Sequence, residues 1–191
     1  MCALKLVSAL AIFAATSRAT IINRPAIKDA TIFRSTISCP ECPQDDCYKC
    51  TYGFEDTLRV NTGGLAWIRS IVGFQFPEDV DPSAITECTV QFPAFKKLPP
   101  TGFDMTVVPA AWSDWDEETV NGDNAPASTD SVMVMSVPAL TNPPLLDVTN
   151  ACQMADDDGQ FSIYLGVEYG SYEIWSKDSG SPAILHITYD D

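Results

Sequence analysis

WIRSIVGFQF, at positions 67–76, is the stretch of sequence that decides the fold. It is rich in aromatic and β-branched residues and is closed by Pro77, which is the pattern of a β-strand. A second stretch, ITECTVQF at positions 85–92, alternates with a period of two and places Ile85 and Glu87 on the same side. Each of the two stretches predicts a β-strand.

Shorter runs of the same kind flank these two, separated by clusters of Gly, Pro, Asn and Asp. The runs lie at 29–34, 57–60, 103–108, 131–137, 161–167, 172–175 and 183–189. Only residues 145–154 predict a short helix or a capped turn. Many short strands without a linker or an internal repeat predict one all-β domain, an antiparallel jelly-roll β-sandwich.

The first nineteen residues predict a signal peptide. They carry Lys5, an apolar run at 6–15 and small residues before a cut after Ala19. A buried amphipathic helix is the alternative, but no polar face interrupts the apolar run. We therefore expect residues 20–191 to form the mature domain and the protein to be secreted and extracellular.

Six cysteines follow the predicted signal peptide, and an even number in an exported chain predicts disulfide bonds. They are Cys39, Cys42, Cys47, Cys50, Cys88 and Cys152. The first four form C-x2-C-x4-C-x2-C, which predicts two local disulfides whose pairing stays open, with zinc as the alternative. The last two are left to each other. Their bridge closes a loop of about 65 residues and stabilises the fold by roughly 4 kcal/mol.

Charge excludes several classes of function. The chain has 26 acidic and 11 basic residues and a formal charge of −15, which argues against nucleic acid and anionic membranes as partners. A single His excludes most hydrolase triads.

No cofactor is expected, although two acidic runs offer oxygen ligands for Ca²⁺. The calcium candidates are Asp114, Asp116, Asp156 and Asp158. Solvated acidic loops are the alternative, because neither run has the spacing of an EF-hand loop.

Three landmarks in order resemble a known family. They are DATIFRS at 29–35 with RSIVGF at 69–74, ITECTV at 85–90 with WDEETV at 115–120, and LDVT at 146–149 with SKDSGSP at 176–182. This pattern resembles the DNRLRE domain, also classed as carbohydrate-binding module family 96. The resemblance covers nearly all of residues 29–191 and implies a jelly-roll sandwich that binds polysaccharide and does no chemistry. It also implies separate secreted carbohydrate-active enzymes as partners.

Four positions depart from the family's pattern. Gly122 stands where the family usually has an aromatic residue, and Gly73 stands where it has a second basic residue. The usual Arg and Glu of the Ser-Arg-Glu motif are Lys177 and Asp178. The cysteine cluster at 39–50 is an addition. The resemblance therefore carries over the fold better than the ligand.

Sugar recognition needs aromatic platforms and polar donors beside them. The candidate platforms are Tyr169, Tyr172 and Trp175, and the candidate donors are Arg59, Arg69 and Lys177. The cations suit recognition of the carboxylate of a uronate, and the structural alternative for them is internal ion pairing. For Trp175 the structural alternative is burial in the core. Without Lys5 and Arg18 the mature chain has 9 basic and 26 acidic residues, a charge of −17, so a neutral polymer is the better ligand.

Three functions follow from these patterns. The main prediction is non-catalytic binding of an extracellular polysaccharide. The alternative is a structural or adhesive protein of an extracellular matrix or cell wall, without specific glycan recognition. The third is a carbohydrate-active enzyme, for which a carboxylate pair such as Glu117 and Asp178 supplies candidate groups.

Overall fold

The computed structural model describes residues 19–35, 38–39, 42–62 and 67–190. The signal peptide predicted for residues 1–19 lies outside the described residues, apart from Ala19. The strands are β1 (Ala19–Pro25), β2 (Lys28–Arg34), β3 (Ser38–Cys39), β4 (Cys42–Asp46), β5 (Thr57–Thr62), β6 (Trp67–Gln75), β7 (Ile85–Gln91), β8 (Phe103–Pro109), β9 (Met133–Val137), β10 (Leu146–Asp147), β11 (Gln160–Val167), β12 (Gly170–Trp175) and β13 (Ile184–Asp190). One helical turn, α1 (Thr149–Cys152), and two 3-10 turns, Pro82–Ala84 and Lys177–Ser179, lie between them.

The strands form two main antiparallel sheets and the small β3–β4 hairpin. The smaller sheet has the order β1-β13-β7-β10, and the larger has the order β12-β5-β6-β11-β8-β9 with β2 also paired to β6. The predicted all-β sandwich is confirmed, and its jelly-roll connectivity stays a prediction. No helix within the described ranges has the length and apolar character needed to cross a membrane.

The main core consists of the side chains that the two sheets turn toward each other. The larger sheet contributes Phe74, Met105 and Ile163, and the smaller sheet contributes Val90 and Leu185, each at most 1% exposed. Successive side chains of a strand point to opposite faces, so their neighbours point away from this core. Those neighbours carry the surfaces described below.

A second apolar layer covers the outer face of the larger sheet. Ile71 of β6 and Tyr164 of β11 pack there against Trp115 and Val120, which belong to the long connection between β8 and β9. The indole N–H of Trp115 donates a 2.9 Å hydrogen bond to the Ser162 hydroxyl, so the buried ring leaves no polar atom unsatisfied. This connection is therefore part of the fold.

Disulfide bonds join segments as predicted. Cys88 of β7 is bonded to Cys152 of α1 across 64 residues, which confirms that pair. In the cysteine cluster, Cys42 is bonded to Cys50, and Cys47 is also disulfide-bonded. These bonds exclude zinc ligation by those three thiols. The side chain of Cys39 lies outside the described part of the cluster.

The structure corrects one local expectation and confirms another. Ile85 is 2% exposed and points into the core, although its alternation with Glu87 predicted the polar side. The register of β7 with β13 shifts between Thr188 and Tyr189, and such a bulge turns the following side chains to the other face. The short helix or capped turn predicted within residues 145–154 is confirmed as the single helical turn α1, which follows the two-residue strand β10.

Candidate functional site

Strand β12 turns one face outward and carries two of the predicted platforms there. Tyr169, just before the strand, is 81% exposed, and Trp175 at its end is half-buried. Gly170 has φ +96°, a conformation that glycine adopts readily, and it lies where the chain turns from Tyr169 into β12. β12 is extended and spans roughly 17 Å from Gly170 to Trp175, so the two platforms lie at opposite ends of this strand.

A cleft of about 640 Å³ lies beside the Tyr169 end of this face. Arg59 and Asn61 of β5, directly opposite Glu173 and Ser171 in the register, line it with polar groups. The opposite side is formed by residues 96–101, which contribute two lysines and the apolar Leu98, Pro99 and Pro100. The cleft therefore offers one exposed ring, apolar surface and several hydrogen-bonding groups.

A second cleft, of about 590 Å³, lies beside Trp175. Phe54, which is 59% exposed, lines it together with Thr57, and Lys96 lines both clefts. The ammonium of Lys96 lies 2.9 Å from the Glu173 carboxylate, so the two charges meet in the middle of the face. We call the two clefts together the β12 groove.

Tyr172 differs from the expectation that its ring is a platform. It is 7% exposed, and its hydroxyl donates a 3.2 Å hydrogen bond to the carbonyl of Gly166. Its ring centroid lies 5.6 Å from that of Phe95 and 5.4 Å from that of Phe103. Burial raises the pKa of the Tyr172 hydroxyl. Tyr172 therefore lines the floor of the first cleft with a mostly buried ring, and its role as a platform stays a prediction.

The predicted cations are distributed over three places. Arg59 lies in the groove, pairs with Glu55 at 3.5 Å, and has its guanidinium 4.8 Å from the ring of Phe33. Lys177 lies outside both clefts, in a cluster of carboxylates. Arg69 lies on the outer face of the larger sheet, because it is opposite Ile32 in the register and Ile32 packs in the outer apolar layer.

The Lys177 cluster consists of Asp29, Glu117, Lys177 and Asp178. The Lys177 ammonium lies 2.9 Å from Glu117 and 3.1 Å from Asp178, while its backbone N–H donates to Asp29 at 2.8 Å. The backbone N–H of Asp29 donates to Glu117 at 2.7 Å. The carboxylates lie within 4.8 Å of one another. Glu117 and Asp178, the predicted candidates for a catalytic pair, are thus joined through an ammonium.

Burial and charge shift the pKa values of this cluster. Asp29 is 2% exposed, and desolvation raises its pKa to about 7 against the hydrogen bond from Lys177. Burial lowers the pKa of Lys177, but its hydrogen bonds to Glu117 and Asp178 outweigh burial and raise it. The cluster ties β2, the β8–β9 connection and the turn after β12 together.

The calcium candidates lie partly in one cleft. Asp114, Asp156 and Asp158 line it together with Asp157, whereas Asp116 accepts a hydrogen bond from the backbone N–H of Glu118. Among the described residues, the group whose ligand atoms lie within 4.8 Å of one another is the Lys177 cluster, not this cleft. Calcium binding by the candidates stays a prediction.

Comparison with known proteins gives the family. The sequence model of carbohydrate-binding module family 96 matches residues 44–189, most of the chain. This chain belongs to carbohydrate-binding module family 96. The module is also 53% identical over 189 residues to an uncharacterized secreted protein of Arthroderma benhamiae, with 96% of each chain covered. That relative and the disulfide bonds confirm the predicted extracellular location.

The structure of the module explains two departures from the family's pattern. A Cβ atom at Gly122 would lie 2.5 Å from the Phe33 carbonyl and 2.8 Å from the Tyr48 carbonyl, so the cysteine cluster leaves no room for an aromatic residue. A Cβ atom at Gly73 would lie 2.8 Å from Lys28, the residue opposite in the register. Lys28 thus places a cation beside the position where the family has one.

Sequence reasoning missed several residues of the groove. Phe54, Lys96, Lys97 and Leu98 come from irregular segments, where no periodicity indicates which way a side chain points. The run Lys96-Lys97-Leu98-Pro99-Pro100 is a loop signal in itself. Nothing in the sequence places that loop beside β12.

Proposed function

We propose that this module binds an extracellular polysaccharide along the β12 groove and does not cleave it. The observation that carries the proposal is the outward face of β12, a strand of roughly 17 Å, where Tyr169 and Trp175 lie at opposite ends of an open groove. A groove of that length accommodates several consecutive sugars. Family membership supports the same class of ligand.

The chemistry of the groove suits a neutral polymer. An aromatic ring offers a flat apolar surface at low entropic cost, and the hydrogen-bonding groups of Asn61 and Ser171 lie between the two rings. Lys96 and Glu173 neutralise each other, so the groove adds little charge of its own. The surplus of acidic residues over the whole chain disfavours a polymer with a charge on every sugar.

The arrangement of the carboxylates supports binding without cleavage. A glycosidase needs two carboxyl groups on either side of the scissile bond. Glu117 and Asp178 instead contact the same ammonium, and neither lines the β12 groove. A module of this kind would act beside separate secreted carbohydrate-active enzymes.

The test uses the oxidised mature protein and a panel of insoluble and soluble polysaccharides, neutral and acidic, with Ca²⁺ or with chelator. We expect saturable, chelator-insensitive binding to a neutral polymer, weakened up to about tenfold by Tyr169→Ala or by Trp175→Ala. Trp112→Ala is the matched control, because Trp112 is 41% exposed and lines neither cleft.

Three outcomes would contradict the proposal. If Trp112→Ala weakens binding as much as Trp175→Ala, the groove is not the site. If binding requires Ca²⁺, the site moves to the acidic loops. Release of soluble sugars from any polymer would show that the protein is a carbohydrate-active enzyme.

A second candidate function is a structural or adhesive role, favoured by the edge strand β9. β9 is at one end of the larger sheet, and Val132 and Val134 are 56% and 60% exposed there. An exposed apolar edge is a site at which a second sheet can pair. Concentration-dependent self-association, abolished by Val134→Lys and accompanied by no glycan binding, would favour this role.

A further inference from the structure

Three side chains form a cationic surface on the outer face of the larger sheet, opposite to the core. Arg34 is paired with Trp67 in the register of β2 and β6, and Arg69 follows Trp67 by two residues on the same face. The Arg69 guanidinium lies 4.1 Å from a ring centroid of Trp67, and that of Arg34 lies 5.4 Å from it. Both guanidinium groups are therefore held against one ring.

In the described part of the chain, no carboxylate lies within ion-pair distance of these two cations, although the chain has 26 acidic residues. Burial lowers the pKa of Arg69, and the nearby Arg34 lowers it further. A half-buried arginine beside another arginine is unfavourable in isolation, because both desolvation and repulsion oppose its charge.

The cations border a preformed cavity of about 180 Å³. Ile32 and Tyr164 line it from the sheet, and residues 126–128 line its edge. The Tyr164 hydroxyl donates a 2.5 Å hydrogen bond to the Pro126 carbonyl, and the backbone N–H of Ala111 donates to Ala127 at 2.8 Å. The cavity is therefore held open by the fold and is large enough for one small polar group.

We propose that the cavity lined by Arg34, Trp67 and Arg69 binds one oxyanion of an acid-substituted glycan, a sulfate ester or a carboxylate. The inference deepens the proposed function by adding a second contact for the same class of polymer. Guanidinium groups donate several hydrogen bonds in a fixed plane and suit such oxyanions better than an ammonium does. The Ser128 hydroxyl, which also lines the cavity, supplies one more donor.

The charge of the protein limits the ligand to sparse substitution. A polymer with an acid on every sugar meets the repulsion of a mature chain with a net charge of −17, whereas a single oxyanion meets only the local pair of cations. We therefore expect a largely neutral backbone with occasional acidic groups.

The test compares dextran, lightly sulfated dextran and carboxymethyl dextran of equal substitution, at one ionic strength. The variants are Arg34→Gln, Arg69→Gln and the double variant, with Arg24→Gln as the matched control. Arg24 is exposed on β1 of the other sheet and loses the same charge. We expect the double variant to lose about tenfold of the excess affinity for a charged dextran over dextran, and Arg24→Gln to lose less than about twofold.

The two charged polymers distinguish the source of the oxyanion, according to which one gives the larger excess affinity. An equal loss of excess affinity in Arg24→Gln would overturn the proposal and indicate general electrostatic attraction. Absence of any excess affinity in the wild type would also overturn it, because the cavity would then bind no oxyanion. Arg69→Lys, which keeps the charge but not the planar donor, gives an intermediate loss if the guanidinium is needed. Full retention by Arg69→Lys would limit the role of Arg69 to charge and contradict the hydrogen-bonded oxyanion.

Failure here and failure of the groove are separable. Groove variants such as Tyr169→Ala leave the excess affinity for a charged dextran intact, and the double arginine variant leaves binding of the neutral polymer intact. If the cavity binds no oxyanion, only the binding of the neutral polymer and its loss in the groove variants are observed. If the groove binds no glycan, only the excess affinity for a charged dextran and its loss in the double arginine variant are observed.

Discussion

Lys177 and Arg69 are both cations on matched family motifs, and their surroundings differ completely. The Lys177 ammonium contacts the carboxylates of Glu117 and Asp178, and the Lys177 backbone N–H donates to Asp29. Lys177 thereby joins its own turn to β2 and to the β8–β9 connection. Arg69 has a tryptophan ring and a second arginine beside it. A cation with its anions supplied by the fold stabilises the fold, and a cation without them is available to a ligand.

The largest expected effect concerns Asp29 in the Lys177 cluster. Its folded pKa of about 7 lies above the ordinary value of 3.8, so between these pH values the folded state binds a proton that the unfolded state has lost. Its contribution to the free energy of unfolding is therefore full below pH 4 and is lost as the pH rises to 7. The difference of about three pKa units corresponds to at most about 4 kcal/mol.

Urea denaturation of the wild type and Asp29→Asn at pH 4 to 8 measures this loss. We expect the stability of the wild type relative to the variant to fall across this range and to level off above pH 8. The exposed Asp130→Asn is the control and should give no such trend. A constant difference between wild type and Asp29→Asn would mean that the pKa of Asp29 is the same in the folded and unfolded states, so that the contacts of the cluster offset the effect of burial.

The next effect comes from removing the cation of the cluster. Lys177→Met leaves Glu117 and Asp178, which are 14% and 27% exposed, without their ammonium. Breaking such a partly buried pair costs about 3 kcal/mol of unfolding free energy, measured by urea denaturation at pH 7. Glycan binding of the folded fraction should stay unchanged. Loss of binding with unchanged stability would move Lys177 from the fold to the ligand site.

Substitution of Gly122 tests whether the backbone around Phe33 and Tyr48, beside the arginine cavity, is rigid. A Cβ atom there meets two backbone carbonyls, including that of Phe33, the residue before Arg34, so Gly122→Ala should cost about 2 kcal/mol. At Gly73 the nearest atoms belong to the side chains of Lys28 and Ser162 and not to the backbone, so Gly73→Ala should cost less, about 1 kcal/mol. Thermal unfolding compares the two. Equal costs would mean that the cysteine cluster yields as easily as a lysine side chain.

The smallest effect is expected at the arginines. Arg34→Gln and Arg69→Gln each remove a charge that repels its neighbour, so the unfolding free energy should change by less than about 0.5 kcal/mol or rise slightly. The comparison with Lys177→Met is made under the same buffer. A loss of more than about 2 kcal/mol at Arg69 would show that the fold needs this cation, and the contrast between the two regions would fail.

Much of the fold could be predicted from periodicity, and the exceptions have physical reasons. The central strand at 67–76 is β6 almost to the residue, because its apolar side chains pack on both faces of the larger sheet. Strand β1 was not predicted, because all its residues are exposed or half-buried and its place depends on pairing with β13. Burial of Ile85 depends on a bulge that no local pattern indicates.

The candidate site was predictable only in part. Alternation along β12 separates the outward Trp175 from the inward Tyr172, but the sequence alone does not show which face meets the core. The partners of a cation are set by tertiary contacts, so the sequence does not show that Lys177 is paired with carboxylates and that Arg69 is not. Trp67 and Arg34, which define the environment of Arg69, become neighbours only through the β2–β6 register.

The most direct test of the account maps the ligand on the molecule. Backbone amide NMR spectra of the labelled mature protein are recorded while an oligosaccharide of the preferred neutral polymer is added. We predict shifts concentrated in β5, β12 and residues 96–101, with Trp175 and Tyr169 among the largest. Shifts confined to the outer face around residues 108–128, or no shifts at any concentration, would contradict the β12 groove as the glycan site.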